Sequence, residues 1–170
     1  NLLDDRTMVV VVSQSGRSVE TLQLLDLLRK QEKRTFVIGV TNTADSPLAV
    51  RSNAVVLMRA GPEFSVSCKT YLATLVALEW LGGALCGDDL GASVRELEQA
   101  APAAQDSLAD WREHVQQLAA ELKGVRDLFI TGRGGSLAAA GTGGLIVKES
   151  AHFHAEGMSS PAFRHGPFEM

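Results

Sequence analysis

Ser13-Gln14-Ser15-Gly16-Arg17-Ser18 gathers three hydroxyls around one glycine. Hydroxyls can donate to phosphoryl oxygens, and a glycine lets the backbone come close to an anion. A β-branched run, Met8 to Val12, precedes this segment, and a helical pattern begins at Val19. Open α/β sheets take ligands where a parallel strand hands over to a helix, and the unpaired amides and dipole of the helix favour an anion there. The same residues also read as a helix start in which Ser15 or Ser18 caps the first turn. Residue chemistry alone leaves these two readings level.

Four further segments could do chemistry. Gly132-Arg133-Gly134-Gly135-Ser136 has Leu137 in place of the third glycine of a dinucleotide fingerprint, and no acidic residue ends a following strand. What survives is a phosphate or sugar-hydroxyl site, or a tight turn for close strand–helix packing. Lys148-Glu149 lies near the end of an apolar helical pattern. A carboxylate on a mostly buried helix has a raised pKa and can act as a general base, whereas at a solvated helix end it is an ordinary surface charge. His152-Phe153-His154-Ala155-Glu156 offers imidazoles, but a helix running to about Ala155 would turn His152 and His154 to different sides, which disfavours a metal. Arg164-His165-Gly166-Pro167 is a polar turn whose histidine would titrate near neutral pH. No Gly-x-Ser-x-Gly elbow is present.

The elements that must position these residues follow from periodicity. Met8 to Val12 is a strand without alternation, so both its faces should be buried, as in a parallel sheet; Phe36 to Val40 is the next buried strand and Ala54 to Met58 a third. Val19, Leu22, Leu25 and Leu28 recur at helical spacing. Ser46-Pro47 reads as an N-cap followed by the first helical residue. Ser65 to Leu85 is a helix apolar almost all round, hence expected to be buried. Gly87 to Gly91 marks a boundary. Ala92 to Lys123 is helical and polar, with a break at Ala101-Pro102, and Leu108, Trp111, Val115, Leu118 and Leu122 form a face for packing against a neighbour. Asp127 to Thr131 is a strand, and a helix runs from Leu137 to about Ala155. This alternation defines an α/β fold with a parallel sheet, and its strand–turn–helix unit occurs twice.

Composition narrows the classes. The formal net charge of −4 argues against a nucleic-acid binder, which needs clustered positive charge. Cys68 and Cys86 form no CxxC, so a reduced, cytoplasmic setting is expected. The longest apolar run, Leu72 to Leu85, is interrupted by Glu79 and falls short of the about 20 residues a bilayer requires. The chain begins at Asn1 and opens almost directly onto a strand, which reads as a piece of a longer protein.

Together, VVSQSGRSVETL, AGPEFSVSCKTYLATL and KESAHFHAEGMSSPAFRHGP resemble the sugar isomerase (SIS) domain family. The likeness runs over nearly the whole chain. The last segment is the more specific and resembles the double-SIS enzymes, notably the isomerase half of glutamine:fructose-6-phosphate amidotransferases and related amino-sugar-phosphate deaminases.

The resemblance implies a three-layer, flavodoxin-like α/β fold with helices on both faces of a parallel sheet. It implies two partial SIS domains: residues 1–90 as the back of a first, 91–124 as a helical connector and 125–170 as the front of a second. It implies a phosphate cradle at Ser13, Gln14, Ser15 and Ser18, substrate contacts at Val66 and Ser67 with Lys69 nearby, an isomerase base at Glu149 and a ring-opening histidine at His165. That histidine serves the partner subunit's site in the family, so a homodimer is implied. The activity implied is aldose–ketose isomerisation of a hexose or hexosamine 6-phosphate, without metal or nucleotide cofactor. A glucosamine-6-phosphate deaminase and a non-catalytic sugar-phosphate sensor are the alternatives. The amidotransferases carry a Glu and a Lys within the two turns before the base, where this chain has Thr142 and Ile146. No glutaminase domain is present, and the chain alone is not expected to be fully active.

Overall fold

The structure is a computed structural model that describes residues 3–4, 6–31 and 35–169. It divides into two compact units, residues 1–103 and 104–170. In the first, β1 (Met8–Val12), α1 (Val19–Arg29), β2 (Phe36–Thr41), α2 (Pro47–Arg51), β3 (Ala54–Leu57) and α3 (Lys69–Cys86) follow in order. Helix α4 (Leu90–Ser107) runs across the division. The second holds α5 (Trp111–Glu121), β4 (Asp127–Gly132), α6 (Ser136–Ala151), β5 (His154–Ser159), α7 (Ser160–Arg164) and a final 3-10 turn, Pro167–Glu169.

The first unit is built on a parallel sheet ordered β1-β2-β3, with Val10 opposite Ile38 and Val40 opposite Val56. The central strand is covered on both faces. Val37 joins Val11, Leu25, Leu28 and Leu48 in one cluster, while Ile38 and Val40 join Ala77 and Leu81 in another. Alternation along β2 therefore sends successive side chains to α1 and α2 on one side and to α3 on the other. Helix α1 buries Thr21, Leu25 and Leu28, a stripe at four- and three-residue spacing. Helix α2 starts as its residues dictate: the Ser46 hydroxyl accepts from Ala49 N at 3.2 Å and Pro47 occupies the first turn.

Two burial expectations are corrected. Strand β1 is covered on one face only, and Met8, Val10 and Val12 are exposed. Helix α3 buries Thr70, Ala77 and Leu81, whereas Leu72, Leu75, Val76, Trp80 and Leu85 are exposed. The reason is common to both. Helix α3 lies over β2 and β3, so the described residues leave the matching face of β1 and the outer sides of α3 only partly covered.

The expected break at Ala101-Pro102 is also corrected. Pro102 lies inside α4, where its ring nitrogen cannot donate to the carbonyl of Glu98. The chain turns instead at residues 108–110. Leu108, Trp111, Val115, Leu118 and Leu122, expected to pack on a neighbour, are exposed.

In the second unit, β4 and β5 pair in parallel, from Asp127 opposite His154 to Gly132 opposite Ser159. Strand β5 replaces the last turn of the expected helix. Helix α6 ends at Ala151 because His152 takes a left-handed conformation (φ 51°) and closes it. Small residues let α6 lie close on this pair: a Cβ on Gly157 would sit 2.2 Å from the Ala140 carbonyl oxygen. Helix α7 repeats the device seen at α2, with the Ser159 hydroxyl accepting from Ala162 N at 3.2 Å and a proline in the first turn.

Candidate functional site

The turn after β1 is fixed by the neighbouring strand and its loop. Ser13 N donates to the Val40 carbonyl at 3.0 Å, extending the ladder past the strand. The Gln14 carbonyl accepts from Asn42 N at 3.0 Å and from the Thr41 hydroxyl at 3.1 Å. Gly16 N donates to the Ser13 hydroxyl and carbonyl, both at 3.2 Å, and the Gly16 carbonyl accepts from Leu48 N at 3.2 Å. Gly16 is left-handed (φ 62°) and buried, and a Cβ there would meet the Ser46 hydroxyl at 2.3 Å. Only glycine fits both the backbone and the space.

This geometry separates the two readings of the serines. Ser18 holds the N-cap position of α1, yet its side chain accepts no helix amide. Its hydroxyl pairs with that of Thr21 at 2.6 Å and faces Ser13 Oγ at 3.5 Å. The Ser15 hydroxyl accepts from Arg17 N at 3.2 Å, ahead of the helix. No side chain therefore caps the first turn of α1, and its amides are left to solvent or to an anion. Ser13 and Ser15 are half-buried, and Gln14 and Ser18 are exposed, so the hydroxyls line an accessible turn. Arg17 pairs with Asp45 at 3.3 Å at its rim.

A second loop, between β3 and α3, carries Val66 and Ser67. Its backbone is unusual: Arg59, Gly61 and Ser65 all have positive φ. Asn42 holds it at one end, accepting from Ala60 N and donating to the Gly61 carbonyl, each at 2.8 Å. Since Asn42 N also bonds Gln14 O, one residue ties the serine turn to this loop. At the other end the Glu63 carboxylate accepts from Cys68 N (3.0 Å), Lys69 N (2.9 Å) and Thr70 N (3.4 Å), and from the Thr70 hydroxyl. The Thr70 hydroxyl, with desolvation opposing and the three amides assisting, holds the Glu63 carboxyl down at about 2. Ser67 Oγ lies 2.7 Å from Thr70 Oγ1.

Asn42, Glu63 and Thr70 are functional candidates that residue patterns missed. Glu63 lies within AGPEFSVSCKTYLATL, but its role depends on contacts five to seven residues away, which spacing does not reveal.

The remaining candidates lie in the second unit. Glu149 is near the end of α6 and is exposed, so the burial expected along this helix is not found at Glu149. Its neighbour Lys148 pairs with Glu156 at 3.1 Å, from helix to strand. His165 is exposed at the end of α7, where its amide donates to the Pro161 carbonyl at 3.2 Å. His152 closes α6, whereas His154 sits in β5 with Nδ1 2.7 Å from Asp127 Oδ1. The Gly132–Ser136 turn serves close packing: a Cβ on Gly132 would lie 2.4 Å from the Ser136 carbonyl oxygen. Among the described residues, no helix is long and apolar enough to cross a membrane.

Parallel strands, helices on both faces and a serine turn at the carboxyl end of a strand define the first unit as an open α/β sheet with a turn at the place where such sheets take ligands. Residues 1–82 match the model of the SIS domain, which places that part of the chain in the SIS family. It is 36% identical to the glutamine–fructose-6-phosphate aminotransferase (isomerizing) of Streptomyces coelicolor, over 99% of this chain and 28% of that protein. It is 32% identical to the enzyme of the same name from Pyrococcus horikoshii, over 100% of this chain and 29% of that protein. The C-terminal domain of glucosamine-fructose-6-phosphate aminotransferase from Francisella tularensis superposes with a TM-score of 0.87 at 26% identity, covering 99% of this chain and 49% of that one. The chain thus spans under a third of the length of these curated relatives.

Proposed function

We propose that this chain is the phosphosugar-binding part of an enzyme that interconverts the aldose and ketose forms of a hexose or hexosamine 6-phosphate. The observation that carries the reading is the serine turn, whose hydroxyls surround a helix start that no side chain caps. The phosphate sits against Ser13, Gln14, Ser15 and Ser18. The sugar extends to Val66 and Ser67, on the loop that Asn42 ties to that turn. Binding energy gathered at the phosphate, remote from the reacting carbons, holds those carbons in place.

In this reading His165 assists ring opening. Glu149 removes the proton alpha to the carbonyl or imine and returns it to the neighbouring carbon through an enediol-type intermediate. Residues 1–90 and 125–170 are parts of two SIS domains joined by residues 91–124, and His165 serves the partner subunit of a homodimer. The similarity to the aminotransferases along the whole chain supports these assignments. Thr142 and Ile146, standing where the resemblance puts Glu and Lys in those enzymes, count against the synthase's chemistry, and a second reading is that the full protein releases ammonia from glucosamine 6-phosphate.

Solvent exchange of the substrate's alpha proton tests the assignment of the base. Glu149→Gln in the full-length protein should abolish exchange of deuterium into fructose 6-phosphate; unchanged exchange removes Glu149 from the role. Ammonia release from glucosamine 6-phosphate by the wild type distinguishes the second reading from the first.

A further inference from the structure

The hydrogen bonds around Glu63 fix more than the start of α3. One carboxylate accepts from three consecutive amides and from the Thr70 hydroxyl. An ionised carboxylate has no proton to give, so the single proton of Thr70 points to Glu63. Thr70 Oγ1 is then left with lone pairs only. Ser67 Oγ is 2.7 Å from it, a distance that needs one proton between the two oxygens. Thr70 has spent its own, so Ser67 must supply it. Thr70 is 1% exposed and shielded from water that might break this order, whereas Ser67 is exposed. The open end of the relay therefore presents acceptor lone pairs and no proton.

We propose that Glu63 is a positioning residue which, acting through Thr70, makes the Ser67 hydroxyl a hydrogen-bond acceptor, so that this position takes a donor group of the ligand, a sugar hydroxyl or protonated amine, and rejects a phosphoryl or carboxylate oxygen. The inference rests on the phosphosugar reading and adds polarity to one of its subsites. It assigns the two loops opposite tasks. The serine turn donates to the anion, and the Ser67 loop accepts from the other end of the same molecule. A sugar phosphate can then bind in one direction only.

Glu63→Gln is the informative change. Its amide oxygen can keep accepting from the helix amides while its NH2 donates to Thr70, which reverses the relay and makes Ser67 a donor. Calorimetry on the full chain would compare glucose 6-phosphate with analogues lacking one ring hydroxyl each. In the wild type, loss of one particular hydroxyl should weaken binding about tenfold, the worth of one hydrogen bond. In Ser67→Ala that penalty should fall below about twofold, and in Glu63→Gln a fluorine in place of that hydroxyl, which accepts but cannot donate, should recover affinity that it does not recover in the wild type. Thr70→Val frees the Ser67 proton by removing its acceptor, should give the same fluorine recovery, and decides the matter if Glu63→Gln does not fold.

Persistence of the full penalty in Ser67→Ala, or a fluorinated analogue that binds Glu63→Gln and Thr70→Val no better relative to glucose 6-phosphate than it binds the wild type, overturns the proposal. So does a severalfold loss of glucose 6-phosphate affinity on adding Glu63→Gln to Ser67→Ala, because Glu63 would then act other than through Ser67. A wild type that binds glucose 6-phosphate but is indifferent to every single hydroxyl overturns this inference and leaves the phosphate turn standing. A wild type that binds neither inorganic phosphate nor glucose 6-phosphate removes the phosphosugar reading, and this inference with it.

Discussion

Gly16→Ala is the substitution whose cost the structure specifies most fully. Gly16 has φ 62°, and the added Cβ would lie 2.3 Å from Ser46 Oγ, 2.6 Å from Ser46 Cβ and 3.0 Å from Thr41 Oγ1. Ser46 is 0% exposed and caps α2, so it cannot swing into solvent, and Thr41, also 0% exposed, holds the Gln14 carbonyl. The left-handed backbone alone costs a residue with a Cβ about 1–2 kcal/mol. Forcing Ser46 aside adds about 1–3 kcal/mol of overpacking and about 1 kcal/mol for the lost cap. A total of about 3–6 kcal/mol follows, with more than about a tenfold loss of phosphate affinity because the hydroxyls around the turn move with it. Denaturant unfolding of the full chain and phosphate titration read the two effects. Ser46→Gly should itself cost only a few tenths of a kcal/mol, since glycine is tolerated at an N-cap, but it opens the space. In that background Gly16→Ala should cost only about 1–2 kcal/mol, the backbone part. If Gly16→Ala lies within about 0.5 kcal/mol of the wild type, or if Ser46→Gly gives no relief, the clash argument is wrong.

Three further outcomes are expected. Gly157→Ala would place a Cβ 2.2 Å from the Ala140 carbonyl oxygen and should lower the stability of the second unit by about 2 kcal/mol, read by hydrogen exchange along β5. Pro102→Ala restores a donor inside the exposed α4 and should raise stability by about 1–3 kcal/mol, with a gain in helical circular dichroism. The folded Glu63 carboxyl at about 2 lies below its ordinary 4.5, so the folded state binds fewer protons and this contribution rises with pH across that interval. The difference in thermal midpoint between wild type and Glu63→Gln should be full above pH 4.5 and vanish as pH falls through about 2.

The parts of this fold that are legible in the sequence are those governed by local rules. The β-branched runs at Met8–Val12 and Phe36–Thr41 form paired strands, and Ser46-Pro47 starts a helix. Strand β5 was not legible: HAEGMS has no β-branched residue, and its pairing depends on Gly157 meeting a small-residue face of α6. The missed end of α6 has a similar cause, since His152 supplies the left-handed residue that glycine usually signals. Burial of β1 and α3 was overestimated because an apolar pattern reports what a segment can bury, whereas the described neighbours determine what it does bury. In the candidate site, the serine turn stood out as a motif. The clamp by Asn42 and the relay from Glu63 did not, because both join segments whose proximity only the folded chain reveals.

The double role of Asn42 has a consequence for selectivity. Its amide nitrogen secures the Gln14 carbonyl while its side chain secures Ala60 and Gly61. The seat for the phosphate and the near end of the loop that meets the sugar are thereby anchored to one residue just after β2, and Glu63 fixes the far end of that loop beside Ser67. In the proposed reading this makes the carboxyl edge of the sheet a ruler. A pentose or heptose phosphate, one carbon shorter or longer, can seat its phosphate or reach Ser67, but cannot satisfy both without disturbing one of these anchors.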